Sequence, residues 1–373
     1  MTMNTTRHVD AADANPILLL TDVDRAWISE VLAIDIAEPR PVTAEQLAAM
    51  TDRERSWFNL ARTNYLRRVP LLDTPVVTTV MEALRQHAKS SIRSDMHQQD
   101  VVILDGEPGV GKTMMLKTHA AEEMKRLAFQ RSLELEHGTA EPLWTFRPVL
   151  YAHLQGPMTR NEVVRLLCDQ LNWPSDTNPL PAFERAIKQC GVQLIIIDEI
   201  QHVNFGGATG RHVHNIIRWM SNAGLRVILG GTDVNTVLNS GGPAAVEVAA
   251  RNSRGRWVRI DVPKLSMRNS REHEQWLDLV YAFEVRLRLV SAPTTDGWFA
   301  DSFGVYAWVR TLGYLNSLIL LMSRAATAAI ESGTETIDRA LLDSIPLQYE
   351  VERGRERRVA MFDDGTYPIM DPE

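Results

Sequence analysis

The stretch VVILD at 101–105, followed by GEPGVGKT at 106–113, constrains the fold of this chain more than any other part of it. Val101, Val102, Ile103 and Leu104 form an apolar run that predicts a buried strand, and Met114 to Ala128 predict a helix. The glycines between them satisfy G-x-x-x-x-G-K-[ST], the Walker A spacing. Such a loop needs this strand–loop–helix setting, because glycines let the backbone turn its N–H groups toward an anion at the helix N-terminus. The spacing assigns Gly106, Glu107, Pro108, Gly109, Val110, Gly111, Lys112, Thr113 and Met114 to the binding of ATP. Lys112 is expected to reach the β- and γ-phosphates, and Thr113 to hold Mg²⁺ through its hydroxyl.

A second apolar run, Leu194-Ile195-Ile196-Ile197, ends in Asp198-Glu199. A strand delivering two carboxylates at its tip is the Walker B pattern. Asp198 is expected to serve Mg²⁺, and Glu199 to orient or deprotonate the attacking water. The next run, VILGGTDVN, puts Thr232 at a strand tip as a polar sensor, with Asn235 as second choice; either could instead cap the turn. Before the last apolar run stand Arg251, Arg254 and Arg256. Arg254 and Arg256 are read as arginines supplied in trans to a neighbouring subunit's γ-phosphate. The other reading of these three is a solvated surface.

Between 100 and 263 strand patterns alternate with helical ones, the mark of an α/β unit with a parallel sheet. Strands are expected at 101–105, 148–154, 192–198, 226–232 and 257–263. Helices are expected over 113–136, from the capping box at Thr159 to Leu171, and over 181–190 and 210–222. Upstream, 22–99 reads as a helical N-terminal extension packed against the α/β domain, with capping boxes at Thr43 and Thr51 and an N-cap at Thr74-Pro75. Downstream, 264–350 reads as an all-helical region with helices near 270–291, 298–311, 313–332 and 336–343. Residues 1–21 are expected to be a disordered N-terminus and 351–373 a charged tail.

Composition narrows the setting. A net charge of −7 argues against a globally basic nucleic-acid binder but leaves a local basic surface open. Four arginines at 353–358 are the sharpest local asymmetry. Cys168 and Cys190 are too few for a disulfide framework or a zinc site and read as buried thiols. The N-terminal sequence has no basic region followed by an apolar core, and no run approaches a membrane span, so a cytoplasmic chain is expected.

Taken together, GEPGVGKT, IIIDEIQH, ILGGTDVN and the arginine-flanked last strand with helices after it resemble the AAA+ superfamily. Within it the chain looks like the TniB group, ATPase relatives of the TnsC transposition regulators, over about 40–345. The resemblance implies a P-loop AAA+ parallel-sheet domain with a helical N-terminal lead-in and a C-terminal all-helical lid. It implies an ATP hydrolase that binds double-stranded DNA without sequence preference as a homo-oligomer, a ring or helical filament. Such proteins recruit a DDE transposase, in some systems with a target-selection protein, and hydrolysis disassembles the oligomer. Many AAA+ lids carry an arginine near the position of Gly313; here the residues are Tyr314-Leu315-Asn316, which supply no charge.

In the related regulators DNA lies against helix ends and loops near the second strand. The matching residues here are Lys125, Arg126 and Arg131 on the helix after the loop, and Thr159 and Arg160 at a helix start. Lys125 and Arg126 could equally pair with Glu122 and Glu123. Two other functions stay open: a helicase loader or remodelling ATPase acting on a protein, and a nucleotide-dependent signalling or defence switch. The acidic net charge favours these mildly.

Overall fold

The computed structural model describes residues 16–34, 36–92, 99–143, 145–203, 207–234 and 257–368. They divide into two compact units. The first comprises residues 1–32, 81–106 and 112–261, and the second 33–80, 107–111 and 262–373.

The sheet has five strands, β1 (Val101–Gly106), β2 (Val149–His153), β3 (Leu194–Asp198), β4 (Arg226–Gly231) and β5 (Trp257–Val262), in the order β2-β3-β4-β1-β5. The pairs β1–β4, β3–β4 and β2–β3 are parallel. Every residue of β3 and β4 is buried. A parallel strand covered on both faces needs such continuous apolar runs, which explains why β3 reads LIIID without alternation. Because β4 lies between β1 and β3, the carboxyl ends of these three strands fall side by side. Open parallel sheets bind their ligands at that edge.

Helices α5 (Lys112–Glu136), α6 (Arg160–Gln170), α7 (Leu180–Gln189) and α8 (Gly207–Asn222) connect these strands. Order in the first unit begins earlier than the expected disordered stretch 1–21 allows. Pro16–Leu19 form a 3-10 helix, and Leu20, 2% exposed, bridges to Phe146. Burial of Leu20 anchors the end of this PILLL run, while Leu18 stays exposed. Asp24 on α1 (Asp22–Val31) takes both Nε and Nη2 of Arg147, at 3.0 and 2.7 Å, just ahead of β2. Cys168 and Cys190 are free and buried, and burial pushes both thiols upward in pKa.

In the second unit α2 (Ala44–Ala48) and α3 (Asp52–Arg67) join α9 (Ser270–Glu284), α10 (Trp298–Thr311), α11 (Leu315–Ser332), α12 (Arg339–Ser344), α13 (Tyr349–Glu352) and α14 (Arg355–Asp363). Helix α4 (Pro75–Ile92) is divided at Val80. The lead-in, expected to pack on the α/β domain, thus has α2 and α3 in one core with the C-terminal helices. Leu66 of α3 is buried among Trp276, Phe283, Leu318 and Met322. Arg62, one turn earlier, is fully buried against Glu335, with Nη1–Oε2 2.7 Å and Nη2–Oε1 2.8 Å.

The capping boxes at Thr43 and Thr51 both form, and Thr74 caps α4 through the Val77 N–H. Helix α9 stops at Glu284 rather than near 291. The Glu284 carboxylate accepts the N–H groups of Gly297, Phe299 and Ala300 and so caps α10. The apolar pattern runs on past the helix because Leu287 still enters the same core without helical backbone.

Candidate functional site

The first unit gathers five of the expected residues, Lys112, Thr113, Asp198, Glu199 and Thr232, at the carboxyl edge of its sheet. Lys112, the first residue of α5, is 4% exposed and donates from Nζ to the Gly106 carbonyl at 2.8 Å. A buried ammonium is costly without partners, so it stays charged only where oxygen ligands surround it. Thr113 follows it, half-buried. Asp198 ends β3 and is fully buried. Its Oδ2 accepts the Tyr151 hydroxyl at 2.8 Å and lies 3.2 Å from His153 Nδ1; its Oδ1 accepts the Glu199 N–H at 3.0 Å. Burial, and after it the charge of Asp198, pushes the Tyr151 phenol far above its usual range, so it remains a donor.

Glu199 has left-handed backbone, φ 60° and ψ 43°, as the strand turns into the 3-10 helix Ile200–His202. Ile200 is 1% exposed, so its burial pins this turn. Gln201 donates from Nε2 to the Glu199 carboxylate and accepts the Thr232 N–H at 3.2 Å. Thr232 therefore stands at the tip of β4, as expected, linked through Gln201 to Glu199. Asp105, in register with Gly231, accepts the Val234 N–H at 3.3 Å and pairs with Arg259 at 3.3 Å.

The loop residues Glu107 to Gly111 fall in the second unit. Gly109 and Gly111 hold φ of 83° and 98°, the region open to glycine, which turns successive N–H groups the same way. The Gly109 carbonyl accepts the Asn316 N–H at 3.0 Å, and the Tyr314 hydroxyl donates to the Glu107 carboxylate. Burial, then this bond, pushes Tyr314 up to about 12. Asn316 at the start of α11 thus meets the loop through its backbone.

The expected DNA-facing residues are less free than their spacing suggests. Arg126 makes two 2.8 Å bonds to Glu123, which also takes Arg226 at 2.6 Å. Arg131 pairs with Glu134 at 3.2 Å and with the Glu141 carbonyl. Arg85, not Lys125, takes Glu122, and Lys125 is exposed. Thr159 closes a capping box with Glu162, which occupies the N-terminus of α6. Arg160 differs, since its Nε is buried with no hydrogen-bond partner. In the second unit Arg355 bonds Asp343 at 3.0 Å, and Arg358 bonds the carbonyls of Val309, Arg353 and Val351. Arg251, Arg254, Arg256 and Asn235 lie outside the described residues.

Spacing did not point to Tyr151, His153, Gln201 or Asp105. Their signal was weak but present. Tyr151 and His153 alternate on an otherwise apolar strand, and His153 sits in register with Asp198.

Among the described residues no group of three or more His, Cys, Asp or Glu could hold a metal ion. Mg²⁺ takes one or two protein oxygens and completes its shell with water and phosphate. The hydroxyl of Thr113 and the buried carboxylate of Asp198 are hard-oxygen donors of that kind. No helix among the described residues is long and apolar enough to cross a membrane.

Residues 94–235 match the family described as an AAA domain. Among solved structures the chain is similar to ORC1 of Aeropyrum pernix in complex with DNA. The identity is 16%, the match covers 80% of this chain and 72% of that one, and the TM-score is 0.50. It is also similar to Cdc6p from Pyrobaculum aerophilum, at 15% identity, with 78% and 73% covered and a TM-score of 0.49. At such identity the ORC1 likeness speaks to the fold alone. No curated protein matches the sequence.

Proposed function

We propose that this chain, an ATP hydrolase built on a P-loop AAA+ domain, works as a DNA-binding oligomeric switch that regulates transposition. The observation that carries the switch is the joining of Glu199 to Thr232 through one side chain at the strand ends. In this reading the loop from Gly106 to Thr113 and the start of α5 hold the ATP phosphates, with Lys112 as the charged ligand. Thr113 and Asp198 hold Mg²⁺, which when bound neutralises charge on the phosphates. Glu199 orients the attacking water and receives its proton. Thr232 senses the γ-phosphate, and Arg254 and Arg256 reach the neighbouring subunit.

Double-stranded DNA as partner rests on residues rather than on the ORC1 likeness, because a fold does not carry a partner. Arg160 supports it best: half-exposed at the start of α6, it makes no ion pair among the described residues, and an arginine there suits a phosphate. Recruitment of a transposase and a target-selection protein rests on the resemblance to TniB and TnsC-type regulators. A second reading, a loader or remodelling ATPase acting on a protein, is favoured by one observation. Arg126 and Arg131 are both taken up by intrachain carboxylates, which thins the basic surface.

A mobility-shift titration with ATP, ADP or no nucleotide tests the proposal. ATP-dependent retardation of duplexes of unrelated sequence is the expected result. Absence of a shift in all three states, with ATP hydrolysis intact, removes the DNA reading and leaves the protein-directed one.

A further inference from the structure

Gln201 belongs to no part of the Walker spacing, yet its one side chain joins Glu199 to Thr232. A backbone N–H can only donate, so the carboxamide must turn Oε1 to Thr232 and Nε2 to Glu199. The orientation of this amide is therefore set by its surroundings. Gly231 makes the approach possible: a Cβ there would stand 2.4 Å from Gln201 Oε1. Glu199 contributes a left-handed backbone that is unfavourable for a non-glycine residue. Such strain persists where the surroundings impose it: the Asp198 carboxylate holds the Glu199 N–H and Gln201 holds the Glu199 side chain.

We infer that Gln201 is a positioning residue that ties the Glu199 carboxylate to the backbone at the tip of β4. The inference rests on the reading of Glu199 as the group that activates water. A glutamate has three rotatable side-chain bonds, and a general base must sit within hydrogen-bond reach of the proton it takes. The amide removes that freedom and fixes the carboxylate relative to the strand end bearing Thr232. Displacing a catalytic group by about 1 Å costs on the order of 100-fold in rate. Gln201 touches neither the phosphates' charged ligand nor the expected Mg²⁺ ligands, so its effect falls on turnover rather than on binding.

The experiment is a kinetic double-mutant cycle in the full chain. Gln201→Ala is expected to lower kcat roughly 10- to 100-fold, with KM for ATP, nucleotide affinity and melting temperature near wild type. Added to Glu199→Gln, it should change the residual rate less than about twofold, because a residue acting through Glu199 has nothing left to position. A Gln201→Ala variant with wild-type kcat overturns the inference, and so does one whose loss multiplies with that of Glu199→Gln. A Glu199→Gln variant that hydrolyses ATP at the wild-type rate overturns the assignment of the base, which is a different failure.

Discussion

Replacing Arg62 with alanine tests why α3 belongs with the C-terminal helices. Arg62 is 0% exposed and Glu335 is 4% exposed. The guanidinium gives two hydrogen bonds to that carboxylate, one at 3.0 Å to the Arg288 carbonyl and one to Asn59. It also lies 4.6 Å from the Phe58 ring centroid. Alanine leaves the Glu335 charge buried, with the Val290 N–H at 3.2 Å still donating to it. Breaking a buried pair from one side costs about 3–5 kcal/mol, because the remaining charge has lost its compensation. For a unit of this size that lowers Tm by on the order of 10 °C. Removing both charges strands neither, so Arg62→Met with Glu335→Gln should recover a good part of the loss. Thermal unfolding followed by far-UV circular dichroism, with urea titrations alongside, reads both quantities. A single Arg62→Ala loss below about 1 kcal/mol, the range of exposed pairs, would refute the buried-pair reasoning. A double variant no better than the single one would place the loss in packing instead.

Lys112→Ala is expected to abolish ATP binding in a fluorescent-nucleotide titration, whereas Glu199→Gln should keep binding and stall hydrolysis; normal turnover by Glu199→Gln removes that carboxylate from the reaction. Arg254→Ala with Arg256→Ala should reduce hydrolysis and oligomerisation at unchanged nucleotide affinity, and mixing with a Walker-B-dead subunit that retains both arginines should restore activity. Arg160→Ala should weaken duplex binding evenly across sequences and flatten the log–log salt slope by about one; an unchanged slope moves the DNA face elsewhere. Acid should remove stability from the first unit over two pH windows. Burial holds neutral His119 down to about 4, below its unfolded value, so its contribution is lost as pH falls from 6.5 through 4. Burial works to raise Glu123, but Arg126 and Arg226 outweigh it and hold the carboxyl at about 2, so its contribution is lost between about 4.5 and 2. Unfolding monitored against pH should therefore show Glu123→Gln less stable at pH 7 and flatter below pH 4.5.

What could be read along the chain was what short-range chemistry dictates. The Walker loop, the Asp198-Glu199 strand tip and the capping boxes at Thr43, Thr51 and Thr159 each rest on residues within a few positions of one another. Local rules suffice there, since a cap or a glycine turn is satisfied by its own neighbours. Parallel strands were legible for a related reason: burial on both faces demands an unbroken apolar run. Helix ends were less so. Val285, Leu287 and Leu289 continue an apolar rhythm that the backbone abandons at Glu284.

What could not be read were the pairings made across the fold. Nothing near Arg62 announces Glu335, and nothing near Glu123 announces Arg226 on β4, although both unions decide how those arginines are spent. Arg126 and Arg131 are a different case: their partners Glu123 and Glu134 stand three residues away on the same helix, and the sequence already left the pairing of Arg126 open beside a phosphate-facing surface. A charge in a sequence is only an offer of an interaction, and a carboxylate three residues away on the same helix face accepts it first. Arg160 escapes because its neighbour Glu162 is already committed to Thr159 as the cap of α6. Arg160 is thus the arginine of the expected DNA set that makes no ion pair among the described residues, and it is where the DNA reading stands or falls.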